Sequence, residues 1–217
     1  MINVKILKDK LLNYFICILF CFLKLLGKNK SSALCSSVLS RIGPVTKFNT
    51  IAKININLVL PKLCKEEVEN ILKNMWKNIG RNIGEFIFLK DYDPFSCKNT
   101  KIKGLNKLKN TIKKNSKNKK GIIFFSAHYS NWEIAPIVLK KLGLDILCIY
   151  RKSNNIYIDK TIQKIRNNFA SYAPKGDIGA KKSFLWLRNG KCLALLMDQK
   201  LNEGKLINFL GRPSKTA

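Results

Sequence analysis

The sequence predicts an α/β fold: a mostly parallel sheet flanked by helices, with an N-terminal helical segment and an apolar membrane anchor. Three observations carry this prediction. Residues 11–26 form an almost uninterrupted apolar run, residues 66–90 repeat apolar side chains at helical spacing, and from residue 121 short apolar runs alternate with helix-period segments. The implied organisation is an anchor segment (1–30), a helical segment with a basic connector (31–120) and an α/β core (121–217).

The first run, LLNYFICILFCFLKLL, is apolar except for Asn13 and Lys24. It is shorter than the roughly 18–20 residues that comfortably span a bilayer core. Lys5, Lys8 and Lys10 precede it, and Lys24, Lys28 and Lys30 close it. Aromatic residues at Tyr14, Phe15, Phe20 and Phe22 suit an interfacial or barely spanning anchor. A basic start and short apolar segment also match a cleavable signal peptide, although no small-x-small cleavage site follows. A buried amphipathic helix is the third reading.

The helix over 66–90 presents Val68, Ile71, Leu72, Met75, Trp76, Ile79, Ile83, Phe86 and Ile87 on a common side. Glu66 and Glu67 suit the positive end of its dipole. Gly80 and Gly84, one turn apart, weaken it but admit a close neighbour. Residues 98–120 hold ten lysines and no acid. The sequence reads there as a solvated loop, or as a basic apron for an anionic partner.

The core follows. GIIFFSA (121–127) is a short continuous apolar run, as a strand buried on both faces should be. A helix over 132–142 ends at Gly143, LDILCIY (144–150) is a second strand, and 159–169 and 178–187 read as helices. KCLALLMDQ (191–199) is a third strand and LINFLG (206–211) a short fourth.

Composition narrows function. Forty-one Lys plus Arg against 13 Asp plus Glu leave a net charge of +28, which favours polyanions: nucleic acid, anionic lipid or an acidic protein. No nucleic-acid recognition motif accompanies the charge. Seven cysteines are scattered singly or set in apolar runs without a CxxC, and histidine occurs once. Reduced thiols are expected, and a metal site is not.

That lone histidine carries the chemistry. Ligands of open α/β sheets bind beyond the carboxyl ends of the strands. After GIIFFSA comes His128-Tyr129-Ser130-Asn131-Trp132-Glu133, and after ALLM comes Asp198-Gln199. The loop from 128 to 133 is long enough to fold the Glu133 carboxylate onto one imidazole nitrogen. The other nitrogen is then free to take a hydroxyl proton near neutral pH. The alternative is a capping or core histidine beside an unrelated helix-start glutamate.

GIIFFSAHYSNWEIAP resembles the His-x4-acid motif of bacterial lipid A biosynthesis acyltransferases, the late lauroyl and myristoyl transferases. Their usual wording is an apolar strand, then His-aromatic-Gly-Asn-Trp-Glu, with Ser130 here standing at the glycine. Further matches follow in order: Asn55-Ile56-Asn57-Leu58 before Pro61, Met75 through Arg81, Ile149-Tyr150-Arg151, Met197-Asp198-Gln199 and Phe209 through Pro213. The resemblance implies transfer of a fatty acyl group from an acyl carrier protein thioester to a hydroxyl of a Kdo-bearing lipid A precursor. His128 would be the general base and Glu133 its orienting acid. Arg151 would bind phosphate or the developing oxyanion, and Asp198 would hold Arg151 or position the acceptor. Arg212 would reach a lipid phosphate, and Asn131, with Trp132, would shape the substrate-facing loop.

No cofactor is implied. The partners would be acyl carrier protein, an anionic lipid A precursor and the bacterial inner membrane at its cytoplasmic face, without nucleic acid. Family members typically continue for another strand–helix–strand portion, so a C-terminal truncation is expected. Two alternatives stay open: a phospholipid or glycolipid acyltransferase using acyl-CoA, and an inactive truncated remnant.

Overall fold

The apolar runs after residue 121 pair side by side in the computed structural model, which describes residues 4–97, 100–118 and 120–216. Four parallel strands stand in the order β1-β4-β2-β3: β1 (Ile122–Ser126), β2 (Ile146–Tyr150), β3 (Ser171–Pro174) and β4 (Cys192–Leu196). One face packs Ile146, Cys148 and Cys192 against Leu139 of α6 (Ile134–Lys141). The other packs Leu147, Ala173 and Leu193 against Trp186 and Leu187 of α8 (Asp177–Arg188). α7 (Ile156–Arg166) connects β2 to β3. The alternation of strand and helix signals therefore yields the expected sheet covered on both faces.

Three readings of the elements change. GIIFFSA is not buried on both faces: β1 is an edge strand, and Ile123 and Phe125 are 52% and 79% exposed. An edge strand has one neighbour, and α8 covers β2, β3 and β4 instead. The fourth strand of the sheet is Ser171–Pro174, a four-residue segment with too little apolar run to announce itself. LINFLG belongs instead to an antiparallel hairpin, β5 (Lys200–Phe209) with β6 (Arg212–Thr216). Leu210 and Gly211 both take positive φ, as a two-residue hairpin turn demands.

The lysine-rich stretch contains a helix, α5 (Leu105–Lys117), where a solvated loop was one expectation. Leu105, Leu108 and Ile112 recur at i, i+3 and i+7, and Leu108 packs on the sheet core. Lys98, Asn99 and Lys119 of that stretch lie outside the described residues.

Contacts divide the chain into two compact units, the described residues of Met1–Ile18 with Leu89–Met197, and of Leu19–Phe88 with Asp198–Ala217. The second unit is built on a helix pair, α2 (Lys28–Ile42) with α4 (Lys65–Phe86), joined by a 3-10 turn (Gly43–Val45) and α3 (Lys47–Val59). Cys64 caps α4 while the Glu67 carboxylate accepts from the Cys64 N–H at 2.7 Å. Val68, Leu72, Trp76, Gly80 and Gly84 form its buried face. A Cβ on Gly80 would lie 2.3 Å from the Cys35 carbonyl oxygen, so glycine alone permits this helix approach. α3 buries none of its residues, leaving Phe48, Ile51, Ile54 and Leu58 exposed.

α1 (Val4–Leu26) contains the N-terminal apolar run. Among the described residues, no helix is long and apolar enough to cross a membrane.

All seven cysteines are free thiols. Burial raises the Cys35 and Cys192 thiols, and burial with the nearby Glu133 charge pushes Cys148 up to about 12. At pH 8 iodoacetamide is therefore expected to label exposed Cys64 in the folded protein. Cys35, Cys148 and Cys192 should be labelled only after unfolding. Mass spectrometry reads this directly, and labelling of Cys148 in the folded chain would contradict its burial.

Candidate active site

The site is assembled where β1 ends. The strand delivers Ser126 and then a tight loop, in which the Tyr129 N–H donates to the Ala127 carbonyl at 2.7 Å. Ser130 takes φ 52, in the left-handed region that favours glycine. That conformation explains why glycine suits the corresponding position of the motif. The Ile134 N–H then donates to the Asn131 carbonyl at 3.2 Å, turning the chain into α6.

His128 is half-buried, and its ring meets Trp132 edge-on with centroids 5.0 Å apart. This contact restrains the imidazole. Glu133 is the N-cap residue of α6, but its side chain makes no capping bond. It is buried, and its carboxylate turns toward α7 and β3. Arg166, at the end of α7, donates to Oε1 through Nε at 2.9 Å and again through Nη2. The Tyr172 hydroxyl donates to Oε2 at 3.3 Å. A buried carboxylate needs such partners, because oxygens taken from water without donors cost their full desolvation.

The partners are themselves held. The Arg166 guanidinium lies 5.4 Å from the Tyr172 ring centroid, and Tyr150 and Phe169 contact that ring edge-on. Burial and the Glu133 charge push the Tyr172 hydroxyl well above its ordinary range, keeping it a donor. Tyr150 donates to Asp159 at 3.1 Å, and burial with that bond raises its hydroxyl too.

Four sequence-derived candidates thus fall in the first unit: His128, Asn131 and Glu133 in the loop after β1, and Arg151 exposed just beyond β2. Asp198 and Arg212 belong to the second unit. There the Arg212 Nε donates to the Leu58 carbonyl at 3.0 Å, tying the hairpin to the end of α3. Sequence reasoning missed Arg166 and Tyr172, which lie 33 and 39 residues from Glu133. No local signal marked them: Arg166 reads as an ordinary helix arginine, and the strand that carries Tyr172 has only four residues.

The fold and loop define an α/β protein with a histidine–carboxylate motif at the carboxyl edge of a parallel sheet. The family model for bacterial lipid A biosynthesis acyltransferases matches residues 3–217, and the chain belongs to that family. No curated protein matches it.

Proposed function

We propose that the protein transfers a fatty acyl group from acyl carrier protein to a hydroxyl of a Kdo-lipid A precursor, with His128 as general base. The observation that carries this reading is the His128–Glu133 loop at the end of β1, its acid buried and ion-paired, in a chain that matches the family over 3–217. His128 takes the acceptor proton as the hydroxyl oxygen attacks the thioester carbonyl. The carbon–sulfur bond of the tetrahedral intermediate breaks, and the leaving thiolate receives that proton from the imidazolium. Glu133, held in place by Arg166, orients the ring and stabilises its charged form. No nucleophilic serine or cysteine takes part.

Arg151 binds a phosphate or the developing oxyanion, and its exposure beyond β2 suits contact with substrate. Asn131, Asp198 and Arg212 are further substrate-binding candidates on the strength of the resemblance. The protein works at the cytoplasmic face of the inner membrane. The exposed apolar residues of α1 and α3, with the charge of +28, support interfacial attachment to anionic lipid.

Purified chain in detergent, supplied with labelled acyl-acyl carrier protein or acyl-CoA and with Kdo-lipid A precursor or phospholipid, tests the assignment. Ester formation on the lipid A precursor from the carrier protein is expected. Preference for acyl-CoA and phospholipid would favour the alternative enzyme, and no transfer from any donor would favour an inactive chain. The basic surface should also make carrier binding salt-sensitive. Raising salt from about 50 to about 500 mM is expected to weaken association severalfold in a titration, and a salt-independent affinity would remove the electrostatic role.

A further inference from the structure

We propose that the first half of α1 is a positioning element for Glu133, acting through α7 and Arg166; this rests on the acyltransferase reading above. The polar residues of the N-terminal run are not mere interruptions of an apolar anchor. Asn13 accepts a hydrogen bond from the Thr161 hydroxyl at 2.8 Å. One turn earlier, the Asp9 carbonyl and carboxylate accept from the Asn155 amide nitrogen at 2.9 and 3.3 Å. Between them, the Lys10 ammonium lies 5.8 Å from the Tyr157 ring centroid.

All three partners stand on α7 or cap it. The Asn155 side chain serves twice: its oxygen accepts from the Tyr157 and Ile158 N–H groups, so the amide that ties α7 to α1 also starts the helix. Tyr157 and Thr161, four residues apart, face α1. Asp159 and Arg166, seven apart and thus two turns along one side, face the sheet and reach Tyr150 and Glu133. α7 is therefore held from outside by α1 and from inside by its bonds to Tyr150, Ser153 and Glu133. An eleven-residue helix transmits a shift at Thr161 to Arg166 because its own hydrogen bonds keep it stiff. Arg166 then moves the carboxylate that, in the proposed mechanism, orients His128.

Asn13→Leu separates this role from anchoring, because it makes the run more apolar and should preserve membrane attachment. We expect kcat to fall about ten- to a hundredfold with KM nearly unchanged, as for a misplaced catalytic group, while partition onto anionic vesicles is kept or strengthened. Asn13→Asp, which retains an acceptor for the Thr161 hydroxyl, should restore most of the rate. Hydrogen exchange adds a readout that needs no activity. Asn13→Leu should speed exchange at 156–166 and 129–134 while leaving 192–196 unchanged. Wild-type kcat and unaltered exchange in Asn13→Leu would overturn the proposal. Failure of the acyltransferase reading looks different: wild-type chain would then transfer from no donor, while the exchange response to Asn13→Leu would still report the coupling of α1 to α7 and the 129–134 loop.

Discussion

Purified His128→Ala protein is expected to keep the wild-type fold and melting temperature while transferring acyl groups about 10²–10⁴-fold more slowly. The ring is half-buried at a loop and meets Trp132 edge-on, so truncation alters a loop rather than a core element. Chemistry loses much more. On the mechanism proposed above, without the imidazole the acceptor hydroxyl must surrender its proton to water, and the thiolate has no acid beside it. Glu133→Ala is a poorer probe, because it leaves the half-buried Arg166 against Tyr172 without its counter-charge. That change alone can cost about 3–5 kcal/mol, so lost activity could reflect lost fold. Circular dichroism and a single-turnover assay of His128→Ala suffice, and an undiminished rate would end the general-base assignment.

Gly80→Leu is expected to destabilise the chain by about 3 kcal/mol, at the upper end for overpacking. Two effects oppose each other here. Helix propensity favours leucine over glycine by about 0.8 kcal/mol in a helix interior. Against it, the new Cβ would sit 2.3 Å from the Cys35 carbonyl oxygen and 2.6 Å from the Ser36 Cα. Both are backbone atoms of a packed helix and cannot swing aside as a side-chain tip would. α2 and α4 must separate, and Gly84, whose added Cβ would stand 2.4 Å from the Ser31 oxygen, loses its contact as well. The Ser32–Glu85 hydrogen bond at 2.8 Å, which joins the same two helices, stretches with them. Urea unfolding in detergent measures the change. An unchanged or higher midpoint would mean that propensity outweighs the close approach.

Much of this molecule is legible one residue at a time. The stripe from Val68 to Trp76 and the paired glycines specify a buried helix face, and the structure places Val68, Leu72, Trp76, Gly80 and Gly84 there. β2 and β4 are apolar runs bounded by turn signals, and they occupy the two inner positions of the sheet. α5 was hidden by its own composition: three apolar residues among lysines carry a helical period that charge density masks. β3 was hidden by its brevity. The burial expected for β1 failed because an apolar run records what a strand could bury, while the strand order decides what covers it.

His128, Glu133 and the loop between them were visible as a motif, since a short run of residues at a strand's end is local and its chemistry follows from residue type. The clamp on the acid was not. Arg166 and Tyr172 arrive from a different helix and strand, and nothing in their own neighbourhoods distinguishes them from an ordinary helix-end arginine and a strand tyrosine. Asn13 likewise read as a flaw in an apolar stretch until Thr161 stood opposite it. Local pattern determined most of the elements and the candidate residues of the motif, because periodicity, turn chemistry and side-chain type are properties of adjacent residues. Only the tertiary structure decided which strand lies at the edge and which charges share a buried site. Both depend on what long-range packing brings together, where low dielectric makes every unpaired group costly.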